Sequence, residues 1–341
     1  MARSPKQSAP DVQLPDVAPL TLKGDLAARM VAGIRKYLTR ETQAIAAARP
    51  THWRRKTTSW KSHSRSVEAN RQELARIIGA VDPREPAQLR IIAPVTHPEE
   101  RLGDPSGDVD PTALASGKGF VIREVRWEAL RGVEGEGLLL EPTDEVLADI
   151  IALPDCDWTP EMLAGLCEGV PAEAQFARRL CESGCRVLVP MLINRQDTYS
   201  CVAEAKTNQP HREFIYRAAF ELGRHIIGYE VQKVLAAIDA LGGGRPVGVI
   251  GYGEGALIAL HAAALDDRIQ AAAVCGYFGP REDVYREPIY RNVWALLREL
   301  GDAEIATLIA PRTLIVEACP VPDVSGPPPV TEGRAGAAPG A

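Results

Sequence analysis

Residues 246–265 read PVGVIGYGEGALIALHAAAL, and this stretch decides the fold. An apolar run rich in valine and isoleucine leads into three closely spaced glycines, Gly251, Gly253 and Gly255. Apolar residues at helical spacing follow immediately. The pattern predicts a buried strand, a tight turn and a helix that packs closely behind the strand.

Two classes of protein contain such a strand–turn–helix unit. In α/β hydrolases the turn reads G-x-S-x-G and presents a nucleophile above the sheet, as a nucleophile elbow. In dinucleotide-binding proteins the turn reads G-x-G-x-x-G/A and lets a pyrophosphate approach the backbone. The segment GYGEGA, which begins at Gly251, fits the spacing of both classes.

The order of the elements favours the hydrolase interpretation. A dinucleotide fingerprint usually opens its sheet, and an acidic residue at the end of the next strand binds the ribose. Here several predicted strands precede the turn, and the next strand ends in GYFGP, with no acidic residue before Glu282. A dinucleotide-binding module therefore stays as the less favoured alternative.

The composition is that of an ordinary globular protein, with 341 residues, 45% hydrophobic and 25% charged. A net charge of −6 does not favour nucleic acid or an anionic membrane as a partner. No apolar run approaches the roughly 18 residues that a membrane span needs. The N-terminal residues are polar and rich in proline, without a secretory signal, so we expect a cytoplasmic protein unless the true N-terminus is missing.

Composition shifts along the chain predict four regions: disordered residues 1–22, a helical N-terminal extension at 23–90, a main domain at 119–319 and a Pro/Gly-rich disordered tail at 320–341. The extension holds predicted helices at 22–47 and 66–79 and a basic, tryptophan-containing segment at 52–65. Such a segment could bind single-stranded nucleic acid, but a solvated linker is the simpler interpretation.

The main domain alternates strands with helices after an opening hairpin, which predicts an α/β fold with an open, mostly parallel sheet of about seven strands. The predicted strands lie at 120–127, 135–140, 149–154, 186–191, 246–250, 272–277 and 313–317. The main predicted helices lie at 173–182, 212–241 and 293–300.

Several segments of this domain resemble the α/β-hydrolase superfamily, most closely its dienelactone-hydrolase-like and acetyl-xylan-esterase-like members. They are LPDCDWTP at 153–160, the helical stretch from 207 to 241, the turn segment, CGYFGPRED at 275–283 and APRTLIVEA at 310–318. The resemblance covers roughly residues 119–319. It implies hydrolysis of a carboxylic ester without a cofactor, and a sheet that lacks its last strand here.

The resemblance also implies a catalytic triad that this sequence does not complete. Gly253 stands where the family has a serine or cysteine, and glycine holds the turn without an attacking atom. The family's histidine follows the last strand, whereas the six histidines here are His52, His63, His97, His211, His225 and His261. We therefore expect weak or absent activity, either in a ligand-binding pseudoenzyme or in an N-terminal fragment of a longer protein.

What remains of the implied site is its oxyanion region. The backbone N–H of Glu254 and the loop of Asp155, Cys156, Asp157 and Trp158 would supply donors beside Tyr252. Glu254 itself is either a first-turn carboxylate favoured by the helix dipole or a general base acting through water. Such a cleft would take a small-molecule ester or an anionic ligand.

Other features predict less. The seven cysteines show no paired or metal-ligand spacing, so we expect reduced thiols and no metal site. The strand at 313–317 would be an exposed edge. That edge or the N-terminal helices could support a homo-oligomer.

Overall fold

The structure, a computed structural model, describes residues 22–93, 110–200, 209–322 and 324. Residue contacts divide the chain into two units, residues 1–44 and residues 45–341. In the first unit, the described residues belong mainly to helix α1 (Leu26–Ala48), whose apolar side chains are exposed. The division falls inside α1, whereas the sequence placed the end of the N-terminal extension at residue 90.

The second unit is built on a sheet in which nine strands are described. The strands are β1 (Arg90–Ile92), β2 (Ala115–Gly117), β3 (Phe120–Leu130), β4 (Val133–Pro142), β5 (Ala148–Leu153), β6 (Cys185–Pro190), β7 (Val247–Tyr252), β8 (Ile269–Cys275) and β9 (Thr313–Glu317). Their order in the sheet is β1-β3-β4-β6-β5-β7-β8-β9, with β2 paired to β3. Strands β6, β5, β7, β8 and β9 run parallel, and the first strands are antiparallel, so the predicted mostly parallel sheet is confirmed.

Helices cover both faces of the sheet. They are α2 (Trp60–Ile77), α3 (Pro160–Ala164), α4 (Phe176–Glu182), α5 (His211–Phe220), α6 (Ile226–Ala240), α7 (Glu254–Leu265), α8 (Leu296–Glu299) and α9 (Asp302–Ile309). The larger core lies between the sheet and α2, α6, α7 and α9, and the smaller core lies under α3 and α4. Eleven of the twelve residues of α7 are buried, which is why its sequence is apolar on every side.

The predicted long helix at 212–241 is wrong, because the structure has α5 and α6 with a break between them. Gly223 adopts a positive φ of 64° just after α5, and His225 is extended. The Nδ1 atom of His225 accepts the N–H of Ile227 at 3.1 Å and so caps α6. The apolar period continues across this break, which hides it in the sequence.

Other boundaries also differ. Ser59 caps α2, so this helix begins inside the basic segment at 52–65 and corrects the prediction of a solvated linker there. Trp53 is buried and donates its indole N–H to the Glu299 carbonyl at 3.0 Å, while Trp60 is exposed. The predicted helix at 293–300 shrinks to α8, and α9, β1 and β2 were not predicted.

Some predictions concern residues outside the described part of the chain. They are the disordered N-terminus up to residue 21, His97 and most of the C-terminal tail. No helix in the described part is long and apolar enough to span a membrane. In β9, Ile315 and Val316 are exposed, and the homo-oligomer through this edge stays a prediction.

Candidate functional site

The Gly253 turn lies at the carboxyl end of the sheet, between β7 and α7. Gly253 has φ 58° and ψ −118°, a backbone conformation that residues other than glycine adopt only at a cost in free energy. Its N–H donates to the Cys275 carbonyl at 3.1 Å, which ties the turn to the end of β8. A Cβ on Gly255 would collide with the Leu153 and Pro154 carbonyls, so only glycine lets α7 approach β5 this closely.

The space above Gly253 is already filled. A Cβ on Gly253 would lie 2.5 Å from Cγ of Pro322, and it would overlap Oδ2 of Asp155. Both contacts are too short for real atoms. The carboxylate of Asp155 therefore stands where a side chain at position 253 would begin.

Asp155 is fixed in this place by Arg195 and by the backbone N–H groups of Glu254 and Asp157. Its Oδ2 accepts the backbone N–H of Glu254 at 3.0 Å. Arg195 Nη1 donates to Oδ1 at 2.7 Å, and Nη2 donates to Oδ2 at 3.3 Å. Burial raises the pKa of Asp155, but Arg195 and the two backbone N–H groups outweigh it, so the net pKa is lowered. Asp155 is therefore an ionised, internal anion at the N-terminus of α7.

Glu254 is fully buried and surrounded by arginines. Its Oε1 accepts from Arg291 Nε at 2.7 Å and from Arg195 Nη2 at 3.3 Å, and its Oε2 lies 3.5 Å from Arg212 Nη2. Burial raises the pKa of this carboxyl, but the charges of Arg291, Arg212 and Arg195 outweigh it and lower the pKa overall. The carboxylate is therefore ionised, paired and shielded from solvent.

The ion pairs continue beyond Glu254. Arg212 donates to both carboxylate oxygens of Glu230, at 3.0 and 2.9 Å, and all of these groups are buried. Arg195 also contacts Asp157 at 2.7 Å, and its Nε donates to the hydroxyl of Tyr290 at 2.8 Å. We call Asp155, Asp157, Arg195, Arg212, Glu230, Glu254 and Arg291 the arginine–carboxylate cluster.

Two predicted site residues form an aromatic pair at its edge. Trp158 stacks on Tyr252 with ring centroids 4.8 Å apart. The Tyr252 hydroxyl donates to the Pro320 carbonyl at 3.1 Å. The chain after β9 thus crosses the Gly253 turn, and Pro320 and Pro322 cover it.

The five described histidines have partners elsewhere. His211 lies between Asn194 Oδ1 at 2.7 Å and the Tyr199 N–H at 2.9 Å. His225 donates to the Asn292 carbonyl at 3.0 Å, and His261 donates to the Leu257 carbonyl within α7. Burial lowers the pKa of both His225 and His261 to about 4, so both are neutral at pH 7. His63 contacts the Thr307 carbonyl, and His52 lies 3.8 Å from Glu299.

Asp155, Cys156 and Asp157 bring three metal-ligating atoms within 4.8 Å of one another. Both carboxylates, however, contact the same Arg195 guanidinium nitrogen at 2.7 Å. Burial strongly raises the pKa of the Cys156 thiol, which keeps it protonated. A cation would have to displace Arg195, so these residues do not fit a metal site.

The structure thus brings together all seven sequence-predicted site residues: Tyr252, Gly253, Glu254 and the loop of Asp155, Cys156, Asp157 and Trp158. Arg195, in the loop after β6, joins them. Sequence reasoning missed Arg212, Glu230 and Arg291, which belong to helices and a loop far apart in the chain. Nothing in their local sequence marks them as partners of Glu254.

Comparisons with known proteins bear on the fold. No protein-family model matches the sequence, and neither does any curated protein. The structure is similar to a candidate acetyl xylan esterase from Bacteroides fragilis, with a TM-score of 0.59, 14% identity, and coverage of 86% of this chain and 75% of that one.

Two further similar structures have lower scores. A glucuronoyl esterase from Solibacter usitatus has a TM-score of 0.42, 16% identity and 74% coverage of each chain. Acetyl xylan esterase 1 from a Thermoanaerobacterium species has a TM-score of 0.40, 16% identity, and coverage of 73% of this chain and 76% of that one. The first similarity, together with the strand order and the Gly253 turn, shows that this chain has the α/β-hydrolase fold.

Proposed function

We propose that the chain is a catalytically silent relative of the carboxylic-ester hydrolases that share its fold. One observation carries the proposal: the Asp155 carboxylate fills the space above Gly253 and accepts the N–H of Glu254. In an active enzyme of this fold, the attacking atom would project from position 253 and an oxyanion would bind that N–H. Here one internal carboxylate takes up both places.

The backbone supports descent from an enzyme. Gly253 keeps the positive φ of a nucleophile elbow, and Gly255 keeps the close approach of helix to strand. Glycine at position 253 removes both the nucleophile and the conformational strain. The architecture of the site is therefore retained although the chemistry is lost.

Glu254 does not replace the missing base. A general base works best when its pKa lies near the working pH and when it reaches the proton it takes. Glu254 is fully buried, its pKa is lowered, and arginines surround its carboxylate. Its role in this proposal is to stabilise the arginine–carboxylate cluster.

A ligand-binding role for the cleft is the second candidate. The N–H of Glu254 and the Arg195 guanidinium form an anion site that Asp155 occupies, so an external anion would have to displace this carboxylate. The dinucleotide alternative has less support, because the Asp155 carboxylate already accepts the Glu254 N–H that a pyrophosphate at the start of α7 would need.

Hydrolysis of p-nitrophenyl acetate tests the proposal. The purified protein is compared with a heat-unfolded sample and with a sample treated with a fluorophosphonate. We expect no turnover above that of the unfolded sample. Saturable turnover that requires the folded state would contradict the proposal, and loss of that turnover in Glu254→Gln would assign it to this carboxylate.

A further inference from the structure

A cavity apart from the Gly253 turn opens on the surface of the second unit. Its volume is about 370 Å³, within the range of small-molecule sites. It lies between the end of α2, the α5–α6 connection and the segment before α8. The residues that line it are Arg76, Ile77, Val81, Phe220, Gly223, Arg224, His225 and Trp294. It shares none of them with the arginine–carboxylate cluster.

The walls of this cavity are held rigidly. A Cβ on Gly79 would lie 2.6 Å from Cα of Arg224, and a Cβ on Gly228 would overlap the Ile78 carbonyl. The end of α2 is therefore in direct backbone contact with the start of α6. Arg224 reinforces this contact through two bonds of 2.7 Å to Asp82. A preformed cavity binds a ligand without the cost of ordering its walls.

His225 connects the segment that carries Trp294 to the start of α6. It is 2% exposed, caps α6 through Nδ1 and donates from Nε2 to the Asn292 carbonyl at 3.0 Å. Asn292 lies two residues before Trp294, so the segment that carries Trp294 is anchored to the start of α6.

The cavity presents aromatic surface to solvent. Trp294 is 66% exposed and Phe220 is 38% exposed, so both rings offer apolar surface to a ligand. Ala295, directly after Trp294, has φ 61° and is the one non-glycine residue in the described ranges with positive φ. Strained backbone of this kind persists where the surrounding structure enforces it, often beside a binding site. This strain and the Asn292 contact set the position of Trp294 at the rim.

The lining carries two guanidinium groups, and each of them also forms a two-point ion pair with a carboxylate. Arg76 and Arg224 are its charged residues, while their partners Glu73 and Asp82 lie outside it. Burial lowers the pKa of His225 to about 4, so this ring is neutral near pH 7. The cavity thus combines two aromatic rings and aliphatic surface with two guanidinium groups.

We propose that this cavity binds a flat, mostly apolar small molecule with one anionic group, such as an aromatic carboxylate or sulfonate. The rings stack against Trp294 and Phe220, and the anionic group faces Arg76 and Arg224. This inference is independent of catalysis at the Gly253 turn.

Titration with 1-anilinonaphthalene-8-sulfonate, followed by its fluorescence, tests the proposal on the full-length protein. We expect saturable binding to the wild-type protein and at least tenfold weaker binding to Trp294→Ala. Val81→Glu, which introduces a carboxylate at a position 47% exposed, should abolish binding. Trp294→Phe keeps a ring and should bind within threefold of wild type.

Two controls make the outcome decisive. Trp60→Ala removes a tryptophan that is 42% exposed on the same helix as Arg76 but outside the cavity, and it should leave binding unchanged. The neutral analogue N-phenyl-1-naphthylamine should bind at least fivefold more weakly than the sulfonate. Equal binding by wild type, Trp294→Ala and Val81→Glu would overturn the site, and equal binding of both probes would overturn its anionic preference.

Discussion

At the residue scale, Gly253 and Asp155 depend on each other. A side chain at position 253 would occupy the place of the Asp155 carboxylate, and this carboxylate neutralises Arg195. Glycine at the turn is therefore a condition for the ion pair. Under the proposed function, the loss of a nucleophile at position 253 and the formation of the arginine–carboxylate cluster are two sides of one change.

This dependence predicts non-additive substitutions. Gly253→Ala should destabilise the fold, by ~1–3 kcal/mol from the positive φ alone and by more from the collision with Asp155. In an Asp155→Ala background the collision is reduced, so the same substitution should cost ~1 kcal/mol less, a typical coupling for groups in contact. Urea unfolding of the wild type, both single variants and the double variant measures this, and strictly additive free energies would contradict the geometry.

Asp302 predicts a pH dependence of stability. Burial raises its pKa from the ordinary 3.8 to about 6, although its Oδ2 accepts the Gly279 N–H at 3.1 Å. At pH values between 3.8 and about 6, Asp302 is protonated in the folded state and ionised in the unfolded state. The free energy of unfolding therefore falls as the pH rises through this range.

Relative to Asp302→Asn, the wild type should therefore lose ~2–3 kcal/mol of unfolding free energy between about pH 4 and pH 6. Urea denaturation of both proteins across this range checks the difference. A constant difference, or one that grows in favour of the wild type, would show that Asp302 is ionised throughout.

The sequence identified residues of the site only where a local motif or the end of a predicted strand marks them. Gly253 and Glu254 follow from the turn motif, and the Asp155–Trp158 loop follows from the end of the predicted strand at 149–154. Arg212 and Arg291 could not be found this way, because a salt bridge between distant elements leaves no local pattern. The covering of the turn by Pro320 and Pro322 was missed for the same reason.

At the element scale, the approach of α7 to β5 depends on Gly255. A Cβ at position 255 would overlap the Leu153 and Pro154 carbonyls, so a methyl group has no room there. We expect Gly255→Ala to destabilise the protein by ~1–3 kcal/mol or more, as overpacking of a tight core does.

Gly279→Ala is the matched control, because nothing lies within 4 Å of the added methyl group. Its effect should stay within ~0.5 kcal/mol. Thermal unfolding of both variants measures the contrast, and equal effects would mean that helix and strand separate easily.

Elements with strong periodicity were predicted well, and those fixed by tertiary contacts were not. The alternating residues of β3 and β4 and the apolar runs of β5 to β9 marked the sheet. The break between α5 and α6 was missed, because it depends on the cap formed by His225 and on its bond to Asn292. The three-residue strands β1 and β2 are too short to produce a pattern.

At the scale of the whole molecule, the sheet gathers the site from distant parts of the chain. Because these strands are parallel, the carboxyl ends of β5, β7 and β8 lie at one end of the sheet, and the loop after β6 adds Arg195 there. Open α/β sheets generally bind their ligands at this carboxyl end. In this protein, internal carboxylates and arginines neutralise each other at that end of the sheet.

Chemical rescue of Asp155→Ala tests whether the Asp155 carboxylate acts as this internal anion. Removing the carboxylate leaves buried Arg195 without its main partner, which should cost ~3–5 kcal/mol and lower the thermal midpoint. Acetate matches the deleted group, whereas pivalate has the same charge and a body too large for the space. We predict that acetate, compared with pivalate at equal ionic strength, raises the midpoint of Asp155→Ala and leaves the wild type unchanged. Equal effects of the two anions on the variant would contradict an internal anion at the Gly253 turn.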